Sequence, residues 1–251
     1  MLRLLRPLAC AVALASLLPV AALAKGPNDS TILNSTGFLS AHPDLNWRLR
    51  GLDAYREGRF EEALKLFRKA ARYADKPAQG MVAEMLWQGQ GTARDKALAY
   101  AWMDLAAERN YPTMVLNRER YWKELDAAQR DDARARGKDV FAEYADAVAK
   151  PRLEAQLRRG RNVTGSHAGG AAGRAVSITI AGPGGMRTID ASEYYAPQYW
   201  QPEQYWSWQD ADWRALPRGV VNIGPLETPV APAGEAPADE PVKDAQGDPA
   251  H

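Results

Sequence analysis

The sequence predicts an all-α protein: a short α–α solenoid of about three helical hairpins, followed by a marginal β-hairpin, an aromatic segment and a disordered tail. Three observations carry that prediction. Apolar residues keep a helical rhythm through residues 44–150. Gly, Pro and cap-forming residues punctuate that stretch at short intervals. Part of the pattern also returns after 35–36 residues, which marks a stacked two-helix repeat.

Residues 1–24 read as a signal peptide. Arg3 and Arg6 give a short positive end, an apolar run covers residues 8–20, and Ala22-Leu23-Ala24 presents small residues for cleavage after Ala24. The apolar run is 13 residues, or 17 if extended to Ala24. Both fall short of the roughly 20 that span a bilayer. Cys10, the single cysteine, lies within this leader. The remaining chain would therefore have no disulfide, no thiolate nucleophile and no cysteine-ligated metal. The expectation is a periplasmic or secreted protein with no transmembrane segment after cleavage. Of 32 basic residues, removal of Arg3 and Arg6 leaves 30 against 31 acidic ones. That balance argues against a nucleic-acid binder, which needs a basic surface.

Residues 25–43 are rich in Ser, Asn, Gly and Pro and read as an exposed lead-in. The repeat domain follows over 44–150. Phe60, Ala63, Leu64, Phe67, Ala70 and Ala71 fall on one helical stripe, as do Ala99, Trp102, Met103, Ala106 and Ala107. Ala133, Gly137, Val140, Phe141, Tyr144 and Val148 form a third stripe, and amphipathic stretches at 44–57, 77–88 and 112–125 complete six helices. Gly58 separates the first two. Pro77 and Pro112 each follow an Asp or Asn by two residues, which suits a first helical turn. Gly89-Gln90-Gly91 stops the third helix, Asp126 with Gln129 forms a capping box for the sixth, and Pro151 should break the sixth. Short connections between amphipathic helices imply antiparallel neighbours.

At an offset of 36, Ala63, Phe67 and Ala70-Ala71 return as Ala99, Met103 and Ala106-Ala107. One hairpin cannot bury both its faces, so such units must stack. Phe60-Glu61-Glu62-Ala63-Leu64-Lys65-Leu66-Phe67-Arg68-Lys69-Ala70-Ala71 resembles the second helix of a tetratricopeptide or Sel-one-like repeat. Ala78-Gln79, Met85-Leu86, Gly89-x-Gly91, Asp95, Ala97, Tyr100-x-Trp102 and Ala106-Ala107 are more similar to the Sel-one-like family. The resemblance covers about residues 47–144. Residues 44–74 lean toward the tetratricopeptide form, and 112–125 lack the Gly-x-Gly turn. It implies a groove that recognises a protein or peptide.

Beyond the repeats, 151–161 read as a basic helix with a solvated face and 162–174 as a flexible linker. Within 175–224, Val176, Ile178 and Ile180 alternate with small residues, and Gly182-Pro183-Gly184-Gly185 turns the chain into a hairpin. Residues 193–213 then hold four of the eight tryptophans and four of the ten tyrosines. Such density marks a contact surface. Tyr199, Trp200, Tyr205, Trp206 and Trp208 are the candidate partner-binding residues. They could fold back into the solenoid groove, dock on another protein, or stack on sugar rings. Residues 225–251 carry six prolines, six acids and one lysine, and should be disordered.

No nucleophile elbow, phosphate loop or paired-histidine zinc helix occurs, so no catalytic, cofactor or metal residues are expected. His42 and His167 should face water. Glu61-Glu62 and Asp131-Asp132 should be solvated, and Trp87, Trp102 and Trp122 should pack in the core. The function that follows is a non-enzymatic periplasmic adaptor, or alternatively a cell-envelope glycan binder using the Tyr/Trp segment.

Overall fold

The computed structural model describes residues 29–165, 177–182 and 185–214. The expected signal peptide, most of the expected linker and the acidic tail lie outside the described residues. Six helices form the repeat domain: α3 (Pro43–Arg56), α4 (Phe60–Ala71), α5 (Lys76–Gln88), α6 (Lys96–Ala106), α7 (Pro112–Glu124) and α8 (Ala127–Tyr144). Two further short helices, α1 (Asp29–Leu33) and α2 (Thr36–Ala41), precede them. After them come α9 (Asp146–Gly165), β1 (Ser177–Gly182), β2 (Gly185–Asp190), α10 (Ala191–Tyr194), α11 (Pro197–Trp200) and α12 (Pro202–Arg214).

The caps fix where the repeats turn. Asp75 accepts from the Ala78 N–H at 2.8 Å and Asp95 from the Leu98 N–H at 3.0 Å. Asp126 and Gln129 bond each other's backbone N–H at 2.8 and 3.1 Å, closing the capping box of α8. Gly91 has φ +68°. A Cβ there would sit 2.4 Å from the Phe60 carbonyl carbon, so only glycine lets this turn lie against the start of α4. Asn110 departs from expectation. It takes φ +56° after a 3₁₀ turn over Ala107–Arg109, and Tyr111 stands at the N-cap of α7 without a side-chain bond.

The predicted stripes build one core. Phe67, Ala70, Met85, Ala99, Met103 and Ala106 are wholly enclosed, Trp87 and Trp102 are buried, and Trp122 packs half-buried against them. α3 packs on α4 and α5 on α6, as stacked hairpins should. In the third pair α8 lies chiefly on α6 instead of α7. The middle helix α5 is enclosed on every side, each residue from Lys76 to Trp87 being buried.

A second core lies beside it, built from segments far apart in sequence. Ile32, Leu33, Phe38 and Leu45 meet Leu153 and Leu157 of α9, Ile180 and Ile189 of the hairpin, and Tyr194, Tyr199, Trp200, Tyr205 and Trp208. The apolar residues of the lead-in are therefore not exposed over its described part. They are too few and too close to show a period, and they are buried by partners about 120 to 170 residues away, as local patterning alone cannot reveal. In the hairpin Ile178 pairs with Ile189 and Thr179 with Thr188, so the isoleucines face inward and the threonines outward.

Pro151 does not end the sixth helix. The chain turns at Ala145, in extended backbone, and α9 runs straight through Pro151. Proline in its second turn removes one intrahelical bond, while Leu153 and Leu157 bury completely on the far side. The basic run is not wholly solvated either. Arg152 donates to the Glu143 and Arg72 carbonyls at 2.7 and 3.3 Å, capping the last turns of α8 and α4, whereas Arg158 and Arg159 are exposed.

Candidate functional site

The aromatic segment folds back in cis, but not into a solenoid groove. Tyr199 and Trp200 on α11 and Tyr205 on α12 are 1%, 2% and 0% exposed; Trp208 is also buried, and Trp206 half-buried. Phe38 lies at their centre, edge-on to Tyr199 at 5.5 Å and to Trp200 at 5.9 Å. Trp200 Nε1 donates to the Tyr194 carbonyl at 2.7 Å, and Trp206 Nε1 to Glu154 at 3.1 Å. The rings' polar handles are thus satisfied inside the protein.

His42, expected in water, is wholly buried here. Its ring stacks on Phe38 at 3.7 Å. Nδ1 lies 2.7 Å from the Phe38 carbonyl and Nε2 2.8 Å from the Tyr199 carbonyl. Burial pushes its pKa down to about 4, against the pull of the two carbonyls. The residue joins α2 to α11, a structural duty that no local pattern signals.

α12 then runs along the edge where α3, α5 and α7 begin and α4 and α6 end. Tyr205 donates to Asp44, and Tyr111 to Asp210. Arg109 grips Asp146 through Nε at 2.6 Å and Nη2 at 3.0 Å, and also reaches the Ala74 carbonyl at 3.0 Å and Asp210 at 3.2 Å. Lys76, whose side chain is fully buried, donates to Glu108 at 2.6 Å and the Leu105 carbonyl at 3.1 Å, with Asp146 at 3.1 Å. Arg48 pairs with Asp75 at 2.8 Å. Trp206 lies under Arg109 at 4.8 Å and Lys150 at 5.1 Å.

The electrostatics follow from burial and pairing. Burial raises Asp146, but the Arg109 hydrogen bonds and the charges of Arg109, Lys76 and Lys150 outweigh it and hold this carboxyl well below its usual range. Asp44 goes the other way, pushed up to about 7 by burial and by the Asp75 charge, against Tyr205 and Arg48. Its Oδ1 is buried with no hydrogen-bond partner among the described residues. Perturbed groups often mark catalytic sites. Here they clamp α12 to the repeats, and only about 10 Å³ of space remains among them.

An open concavity lies elsewhere among the described residues. α7 and α8 diverge after Asp126 and leave a groove of about 370 Å³ floored by α6. Tyr100 and Asp104 come from α6, Trp122 from α7, and Arg134, Lys138 and Phe141 from α8, with Gly137 keeping that wall thin. Tyr100 lies 4.8 Å from Trp122, which also has the Arg130 and Arg134 guanidiniums 5.0 and 4.9 Å from its ring. Burial raises the Asp104 pKa against Arg118, 3.6 Å away. Lys138 is exposed and has no ion pair among the described residues. A wedge with aromatic sides and a cationic rim can hold an apolar side chain and a carboxylate together.

The sequence places Trp122 in the core and Tyr100 in the repeat motif, and marks neither these nor Arg134 and Lys138 as site residues. Two signals pointed to the groove. The third repeat lacks the Gly-x-Gly turn, and Arg130, Arg134 and Lys138 recur every four residues, which sets them on one helix face.

No family model and no curated protein matches the chain. Among solved structures it is similar to a protective antigen present in uropathogenic Escherichia coli strains displaying an SLR fold, the Sel-one-like repeat. The two are 26% identical with a TM-score of 0.38, over 44% of this chain and 25% of that one. The match thus spans about a quarter of the neighbour's length, and it is a distant resemblance to a Sel-one-like repeat protein.

Proposed function

We propose that this protein is a non-enzymatic interaction module of the bacterial cell envelope, and that the groove between α7 and α8 receives a protein partner. The groove itself carries the reading: it combines open volume, half-buried aromatic rings and a cation without an ion pair among the described residues. Such a pairing of aromatic anchors and polar rim is how protein surfaces recognise one another. The leader over residues 1–24 supports the compartment. The non-enzymatic reading rests on the buried carboxylates, whose partners tie α12, α9 and the repeats together. A glycan-binding role for the Tyr/Trp segment loses its support, because those rings stack on the protein's own Phe38 and on each other.

Mild crosslinking in a periplasmic extract tests this. Gly137→Trp fills the groove from a position where a Cβ meets only Ala101, at an ordinary 3.8 Å. The parent should capture a protein and the variant should lose it, with circular dichroism unchanged. Capture by peptidoglycan alone, or capture indifferent to Gly137→Trp, would overturn the proposal.

A further inference from the structure

We infer that the groove's occupant is an acidic peptide segment carrying an apolar or aromatic side chain; this rests on the interaction-module reading and names its partner class. The argument is one of charge complementarity over an aromatic floor. Arg130, Arg134 and Lys138 stand at successive turns of α8 on one face, and Arg134 and Lys138 line the wall. Arg130 donates to the Trp122 carbonyl at 3.0 Å and Arg134 to Asp131 at 2.8 Å. Lys138 faces solvent with no ion pair among the described residues.

The acids nearby are already engaged. Asp104 sits 3.6 Å from Arg118, and Glu119 takes the same guanidinium at 2.7 Å. The lining of the groove thus holds two cations, Arg134 and Lys138, against one carboxylate, Asp104, and Lys138 is the cation on the open rim. A carboxylate from outside meets Lys138 without displacing an existing pair. Its apolar neighbour would then lie on Tyr100 and Phe141 beside Trp122.

Competing occupants fit less well. A sugar ring needs a free aromatic face, but two guanidiniums and Tyr100 already crowd the Trp122 ring. A basic peptide would meet like charge on the α8 wall, which suppresses wrong partners.

The test uses the full chain, immobilised, and a phage-displayed library of random dodecapeptides. Selected sequences should be enriched on the order of twofold or more in Asp and Glu next to Phe, Trp or Leu. The double variant Arg134→Glu with Lys138→Glu changes only exposed positions and should fold as the parent does by circular dichroism. It should lose on the order of tenfold in affinity for those peptides and select basic ones instead. Neutral or basic selections from the parent, an acidic preference that survives the reversal, or no selection at all would overturn the inference. If the inference falls while crosslinked capture still depends on Gly137, the module stands with a different partner chemistry. If that capture fails too, both readings fall.

Discussion

The two cores of this molecule are made by different means. In the repeat core, neighbours in space are mostly neighbours in sequence: α3 packs on α4 and α5 on α6, with α8 on α6 the exception. α4 and α6 announce their buried faces by spacing alone. In the second core, Phe38 is surrounded by Tyr194, Tyr199 and Trp200, more than 150 residues away. None of its segments makes a helix longer than six residues before α3, and the hairpin supplies only two fully buried isoleucines. Periodicity builds the first core, and aromatic area builds the second. A region without a pattern can therefore be as thoroughly buried as one with a pattern.

The largest effects should come from removing one large ring from each core. Phe67→Ala and Trp200→Ala each empty an enclosed site and should cost roughly 3–5 kcal/mol. Thermal melting reads both losses. If Trp200→Ala melted like the parent while Phe67→Ala did not, the second core would be only a loose appendage.

A smaller effect probes how closely α9 approaches α2. A Cβ on Gly160 would lie 2.4 Å from the Ala41 Cβ and 3.1 Å from the Trp200 ring. Gly160→Ala should therefore cost about 1–3 kcal/mol through overpacking. Adding Ala41→Gly removes the opposing methyl and should recover part of the loss, a coupling that a double-mutant cycle measures. Independent, additive losses would show that the two helices do not touch as described.

How much of this was legible follows the same division. The stripes through Phe67 and Trp102, the Asp75 and Asp126 caps and the Gly89-x-Gly91 turn are local signals, and the structure bears them out. The alternation at Ile178 and Ile180 was enough for the hairpin. The burial of Ile32, Phe38 and His42 was not legible, because it depends on chain that returns from residue 194 onward. Pro151 misled for a related reason: it reads as a breaker until Leu153 and Leu157 have something to pack against. The groove escaped notice because it arises from the divergence of α7 and α8, an angle between helices that no spacing within either one encodes.

An effect of similar size is a pH dependence at the seam between the cores. Asp44, with its pKa near 7 in the folded protein against an ordinary 3.8, keeps a proton there that the unfolded chain has already released. Its contribution to stability therefore falls as the pH rises from about 4 to 7. His42, lowered from 6.5 to about 4, has the opposite slope, because the unfolded chain takes up the proton first as the pH falls. Asp44→Asn removes only the first slope. Relative to the parent, the variant should gain about 2 kcal/mol between pH 5 and pH 7 in urea unfolding. Parallel pH profiles would mean that Asp44 is ionised in the fold.

Amide hydrogen exchange on the intact protein tests the central claim most directly, since it reads each segment without a substitution. If the Tyr/Trp segment is part of the folded body, the amides of Tyr199, Tyr205 and Trp208 exchange slowly, together with those of Leu39 and Ala41 and within reach of the protection seen in α5. Exchange of residues 194–208 at the rate of an unstructured peptide, while α5 stays protected, would contradict a second core and return the aromatic segment to the role of a free arm.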